Sequence, residues 1–107
     1  SNDLKINDVN VKPSIIEKFG AVSEEVASEL AKNIAKKNNT DIGIGITGIA
    51  GPGGGTEKKP VGLVFVGIFY KNSLYIKKYN LTPDRTTNRE LTVILCLNEI
   101  RKILMNS

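Results

Sequence analysis

The sequence predicts an α/β fold, a three-layer α/β/α sandwich on a mixed sheet, and three observations point there. Two segments, residues 23–38 and 86–104, carry helix start signals followed by apolar residues at helical spacing. Between them lie three apolar runs of strand length, at residues 41–46, 61–70 and 74–81. The middle run is apolar on both faces, which suits a central strand covered on both sides. Three strands are few for two covering layers. The sheet is therefore expected to be wider than this stretch supplies, with the chain truncated at its N-terminal side.

Each element has a local reason. Residues 1–12 are polar apart from Leu4, Ile6, Val9 and Val11, whose spacing allows a short helix from Asp3. Pro13 opens a helical turn that Gly20 closes, the usual asymmetry of proline at a helix start and glycine past its end. Ser23 is placed to cap the next helix, and Glu24 and Glu25 complement its positive end. Ala27, Leu30, Ala31 and Ile34 form its narrow apolar stripe, and Asn38-Asn39-Thr40 stops it. In the first strand Gly43 and Gly45 alternate with isoleucines, so one face is nearly bare and a helix can come close to it. Lys71-Asn72-Ser73 is a turn signal joining the second and third strands as an antiparallel hairpin. Thr82-Pro83-Asp84-Arg85 breaks the third strand, and a broadly apolar helix follows, with Asp84, Thr86 and Thr87 as possible caps and Thr87 and Glu90 spaced as a capping box.

Composition narrows the function. The chain of 107 residues suits one domain, and 40% hydrophobic content is enough for one core. No apolar stretch approaches membrane-spanning length, and no signal-peptide pattern opens the sequence. The single cysteine, Cys96, excludes an internal disulfide, fits a cytoplasmic location and sits in an apolar helical run, so a buried inert thiol is expected. The net charge of +4 is modest, its lysines are scattered and aromatics are few, which argues against nucleic-acid binding. Histidine is absent, which removes histidine-based triads and most zinc sites.

The organising feature is the stretch Thr47-Gly48-Ile49-Ala50-Gly51-Pro52-Gly53-Gly54-Gly55-Thr56-Glu57-Lys58-Lys59-Pro60-Val61-Gly62, which holds six of the ten glycines. Ordering so much glycine is entropically costly. The usual compensation is that bare backbone N–H groups approach a ligand closely, often an anion. Pro52 and Pro60 stiffen the loop, threonines add hydroxyls, and Lys58 and Lys59 add positive field rather than contacts. A phosphate-sized anion suits these groups best, with Thr47, Gly48, Gly51, Gly53, Gly54, Gly55 and Thr56 as the candidate binding residues. The bland alternative is a flexible hairpin connection.

At this point the sequence resembles a known family. Gly20-Ala21-Val22-Ser23-Glu24-Glu25-Val26, the glycine loop and Asp84-Arg85 are similar to the C-terminal domain of the CinA family of competence- and damage-inducible proteins. Ser1-Asn2-Asp3-Leu4-Lys5 is similar to the family's Ser-Asn-x-x-Lys segment, and the resemblance spans nearly the whole chain. It implies a nicotinamide mononucleotide deamidase, which hydrolyses the pyridine carboxamide to nicotinic acid mononucleotide and ammonia without cofactor or metal. It also implies a domain starting roughly fifty residues earlier, in line with the wider sheet such folds need. That part would carry a nucleophilic serine in a Ser-Cys-Thr-Gly-Gly segment and a tyrosine, and neither is in this sequence.

With no histidine, a lysine of lowered pKa must serve as base or a water must be otherwise activated. The resemblance assigns that role to Lys5. Arg85, between a strand end and a helix start, can grip phosphate or carboxamide in a forked geometry, or simply pair with Asp84. Thr47 offers a hydroxyl to substrate, or a turn-stabilising bond. Two readings remain: an amidohydrolase part acting on a nucleotide, inactive as this stretch alone, and a non-catalytic nucleotide-binding or structural module. A truncated sheet leaves an exposed edge, so self-association is expected in either case.

Overall fold

The computed structural model describes residues 11–49, 59, 61–81 and 85–106, with only the backbone of residues 85–87. The short helix expected from Asp3 lies outside these residues. The described elements are α1 (Pro13–Phe19), α2 (Glu24–Asn38), β1 (Ile42–Gly48), β2 (Leu63–Tyr70), β3 (Ser73–Asn80) and α3 (Arg85–Met105). The strands form one sheet in the order β1-β2-β3. Both pairings are antiparallel, with Gly45 opposite Gly67 and Gly67 opposite Ile76. No parallel pair occurs among the described residues, so the described sheet is antiparallel where the sequence predicts a mixed one. β2 is the central strand, as its two apolar faces require.

The two faces are covered differently. Toward α2, β1 and β2 present Gly43, Gly45 and Gly67. A Cβ on Gly43 would overlap the Ala31 carbonyl oxygen, one on Gly45 the Ala27 carbonyl oxygen, and one on Gly67 would lie 2.6 Å from that same oxygen. Ala27, Ala31 and Ala35 are buried on the facing side of α2. Small residues on both partners bring helix and sheet backbones almost into contact. Below the helix start, Val11, Val26 and Leu30 make a small cluster with Ile15 and Ile16 of α1.

Toward α3, β2 presents Val64, Val66 and Ile68, which pack with Cys96 and Ile103. Cys96 is buried, as its apolar helical setting predicts. The sheet thus lies between helices on both faces, the three-layer sandwich the sequence predicts.

Local signals account for most boundaries. The Ser23 hydroxyl accepts the Val26 N–H at 3.2 Å, the expected N-cap. Asn39 ends α2 in the left-handed conformation at φ 51°. Lys71 and Asn72, at φ 48° and 66°, form the two-residue turn between β2 and β3. β1 runs to Gly48, two residues beyond the expected end, because Thr47 and Gly48 pair with Phe65 and Val64. The capping box is a correction. Thr87 already has helical backbone in the first turn of α3, so the helix starts too early for Thr87 to be its cap.

Candidate functional site

The described part of the site lies at the end of β1, where the glycine loop begins. The loop is the connection of an antiparallel hairpin. Its neck is closed by two backbone bonds, Ile49 N–H to the Leu63 carbonyl at 2.9 Å and Gly62 N–H to the Ile49 carbonyl at 2.8 Å. The Gly62 carbonyl in turn accepts the Leu81 N–H at 2.7 Å, which ties the neck to the end of β3.

On the α2 side, the neck meets the turn between α1 and α2. Three successive carbonyls of that turn each receive a side-chain donor. Phe19 accepts from Lys59 Nζ at 2.7 Å, Gly20 from the Ser23 hydroxyl at 3.0 Å, and Ala21 from the Thr47 hydroxyl at 2.6 Å. Gly20 can make this turn because it has φ 83°, and its own N–H caps α1 by donating to the Ile16 carbonyl. One short turn therefore holds the end of β1, the return limb of the loop and the N-cap of α2.

These contacts refine two sequence expectations. Thr47 is buried at 2% exposure, and its proton is engaged by Ala21, so its hydroxyl faces the turn as donor and has only lone pairs left to offer. Lys59 is not a diffuse charge, because its ammonium makes a specific contact 40 residues away in sequence.

On the α3 side, a cavity of about 180 Å³ opens between the end of β1 and the first turns of α3. Ile46, Gly48, Ile49 and Val64 line one wall, and Asn88, Arg89 and Thr92 the other. Arg85 opens α3 three residues before Asn88, the first α3 residue on the cavity wall, and is not itself among the lining residues. Asn88 is 4% exposed, and its carbonyl accepts the Thr92 hydroxyl at 2.7 Å. Sequence reading missed Asn88 and Arg89. The available signal was spacing, since positions three and four after Arg85 share its side of a helix. Lys5, Gly51, Gly53, Gly54, Gly55 and Thr56 lie outside the described residues. Among the described residues no cluster of metal-ligating side chains occurs, and no helix is long and apolar enough to cross a membrane.

Comparison with known proteins places this geometry. A family model described as the CinA C-terminal domain matches residues 1–104. A Clostridium tetani protein named for competence-damage induction is 49% identical over 105 residues, 98% of this chain and 26% of that protein. A CinA-like protein of Dictyoglomus thermophilum is 47% identical over 105 residues, with 98% and 26% covered. Among solved structures, the competence or damage-inducible protein of Enterobacter asburiae superposes with a TM-score of 0.90 at 30% identity, covering 97% of this chain and 65% of that one. The chain thus spans about a quarter of the length of the curated relatives it matches, which it covers to 26%.

Proposed function

The chain belongs to the CinA C-terminal domain family, and from that premise we propose that it is part of an amidohydrolase that deamidates nicotinamide mononucleotide to nicotinic acid mononucleotide and ammonia. The observation that supports this reading most is the junction of the glycine-rich hairpin neck with the cleft between Gly48 and the start of α3. An anion held by loop N–H groups at one end of that cleft leaves room at the other for an aromatic carboxamide.

In this reading Gly48, Gly51, Gly53, Gly54, Gly55 and Thr56 supply N–H and hydroxyl donors to the phosphate. Thr47 fixes the start of the loop and accepts from substrate. Arg85 grips the phosphate or the carboxamide in forked geometry. Lys5 takes the proton from the nucleophile and returns it to the departing ammonia. The tetrahedral oxyanion formed between those steps needs donors aimed at it, and a water then attacks the acyl-enzyme ester through a second such oxyanion, releasing the acid and restoring the serine. The reaction calls on no cofactor, metal or nucleic acid. We place it in the cytoplasm, where free nucleotide substrate is found. Self-association belongs to the same proposal. β1 has no neighbour on its outer edge among the described strands, and Ile44 and Ile46 are each 38% exposed.

The sequence contains no Ser-Cys-Thr-Gly-Gly segment. The 107-residue chain is therefore expected to release little or no ammonia, and a version extended to the length of its solved relatives to release it readily. In that longer protein, Lys5→Ala should lower turnover far more than it weakens binding, because a base acts chiefly in the transition state. Arg85→Ala should weaken binding by about 1.5–3 kcal/mol. Ammonia release from the short chain would refute the missing-nucleophile assignment. No release from the long one would favour the alternative, a phosphate-binding module without catalysis.

A further inference from the structure

Two lysines precede Pro60 in the glycine loop, and general reasoning makes both a source of positive field. The structure treats Lys59 otherwise. Its ammonium donates to the Phe19 carbonyl at 2.7 Å. The Cβ that Gly20 lacks would lie 2.5 Å from that same Nζ, so the glycine is what leaves room for the contact. Two residues on, the Ala21 carbonyl holds Thr47 from the opposite limb of the hairpin. The outgoing limb and the return limb of the loop are thus pinned to one three-residue turn, one at each end of it.

We infer that Lys59 is a positioning residue for the neck of the glycine hairpin: seated on the Phe19 carbonyl, it fixes the return limb against the α1–α2 turn, opposite the limb that Thr47 fixes, and so sets the spacing of the two limbs between which a phosphate is taken. The inference rests on the phosphate-loop reading given above. A charge-assisted bond of this kind narrows the ways in which the two limbs can be spaced. A ligand that binds between them then meets less of that ordering cost, which is the general route from preorganisation to affinity.

The inference differs from a field effect in what breaks it. Lys59→Met removes both the charge and the bond. Gly20→Ala leaves the charge and crowds the ammonium from its seat, and it also strains a turn whose φ is 83°, so retained affinity in it is the decisive outcome. Titration calorimetry with inorganic phosphate and with nicotinamide mononucleotide, at a temperature where circular dichroism shows every variant folded, should give about tenfold weaker binding for each single variant. Retained affinity in Gly20→Ala beside a loss in Lys59→Met would overturn the inference in favour of simple charge.

Should Gly20→Ala fail to fold, salt decides. The ratio of wild-type to Lys59→Met affinity should hold steady between about 0.05 and about 0.5 M salt for a fixed bond, and fall toward one for a screened field. If the wild type binds neither ligand, the phosphate-loop reading fails. The clamp is then judged without ligand, by hydrogen exchange at the Ile49 and Gly62 amides that close the neck. Lys59→Met should quicken exchange there about tenfold relative to α3 amides, and unchanged exchange overturns the clamp.

Discussion

At the scale of single residues, the glycines of β1 and β2 do more than permit a turn. Gly43, Gly45 and Gly67 remove the side chains that would otherwise stand between the sheet and α2, and backbone atoms of α2 occupy the space. Gly45→Ala should therefore destabilise the fold even though it stiffens the unfolded chain. The unfolded-state effect favours alanine by about 0.4–1 kcal/mol. The methyl, however, meets the Ala27 carbonyl and Ala31 nitrogen, which are backbone and cannot rotate away. Overpacking of this kind costs about 1–3 kcal/mol, with the upper end expected here, so the melting temperature should drop by about 10 °C. A thermal melt at unchanged temperature would contradict the close packing. The bareness of this face is legible in the alternation of glycine with isoleucine. The hydrogen bond from Thr47 to Ala21 is not, because it joins residues 26 apart that no local pattern relates.

At the scale of elements, boundaries set by local chemistry were the readable ones. The Ser23 cap, the Asn39 stop and the Lys71-Asn72 turn all follow from what those residues do to their own backbone. The end of β1 did not follow, because cross-strand pairing with Val64 and Phe65 carries the strand past the last isoleucine. α3 starts at Arg85, one residue before the expected 86, and of the candidate caps only Asp84 stands ahead of it. Asp84, Thr86 and Thr87 stand within four residues, and sequence alone cannot rank them.

The seam between β3 and α3 has an electrostatic consequence. Tyr79 donates its phenol to Glu99 Oε1 at 3.4 Å, and Lys102 Nζ lies 3.5 Å from the same oxygen. Burial, then the charge of Glu99 and its hydrogen bond, push the Tyr79 phenol above its ordinary value. Burial, then Glu99, also push the Cys96 thiol up. Both groups hold their protons more tightly folded than unfolded. Their contribution to stability is whole below the ordinary values of 10.0 and 9.0 and is lost as pH climbs through the raised ones. Melting temperature should accordingly fall above about pH 9, and Tyr79→Phe should fall less steeply than the wild type. Parallel curves for the two proteins would show that Tyr79 ionises alike in both states.

At the scale of the whole molecule, the sheet is covered unevenly. α2 closes one face tightly, while α3 sits over β2 and leaves Ile44 and Ile46 of β1 each 38% exposed. Val93, Ile94 and Leu97 of α3 are 56%, 61% and 62% exposed. The family and the sandwich were both legible in the sequence, the first from the loop motif and the second from strand and helix periods. The cleft was not, because it is made by Gly48 and Asn88 arriving from distant parts of the chain.

The central claim is that the glycine loop takes the phosphate of a nucleotide, and one measurement addresses it directly. Nicotinamide mononucleotide titrated into the isotope-labelled chain should shift the backbone amide resonances of residues 47–56, with inorganic phosphate shifting the same subset. Smaller changes should reach Asn88 and Arg89 with the nucleotide alone, since only it extends along the cleft. Amides 47–56 left unmoved at millimolar ligand in a folded protein, or shifts confined to residues elsewhere, would contradict the account.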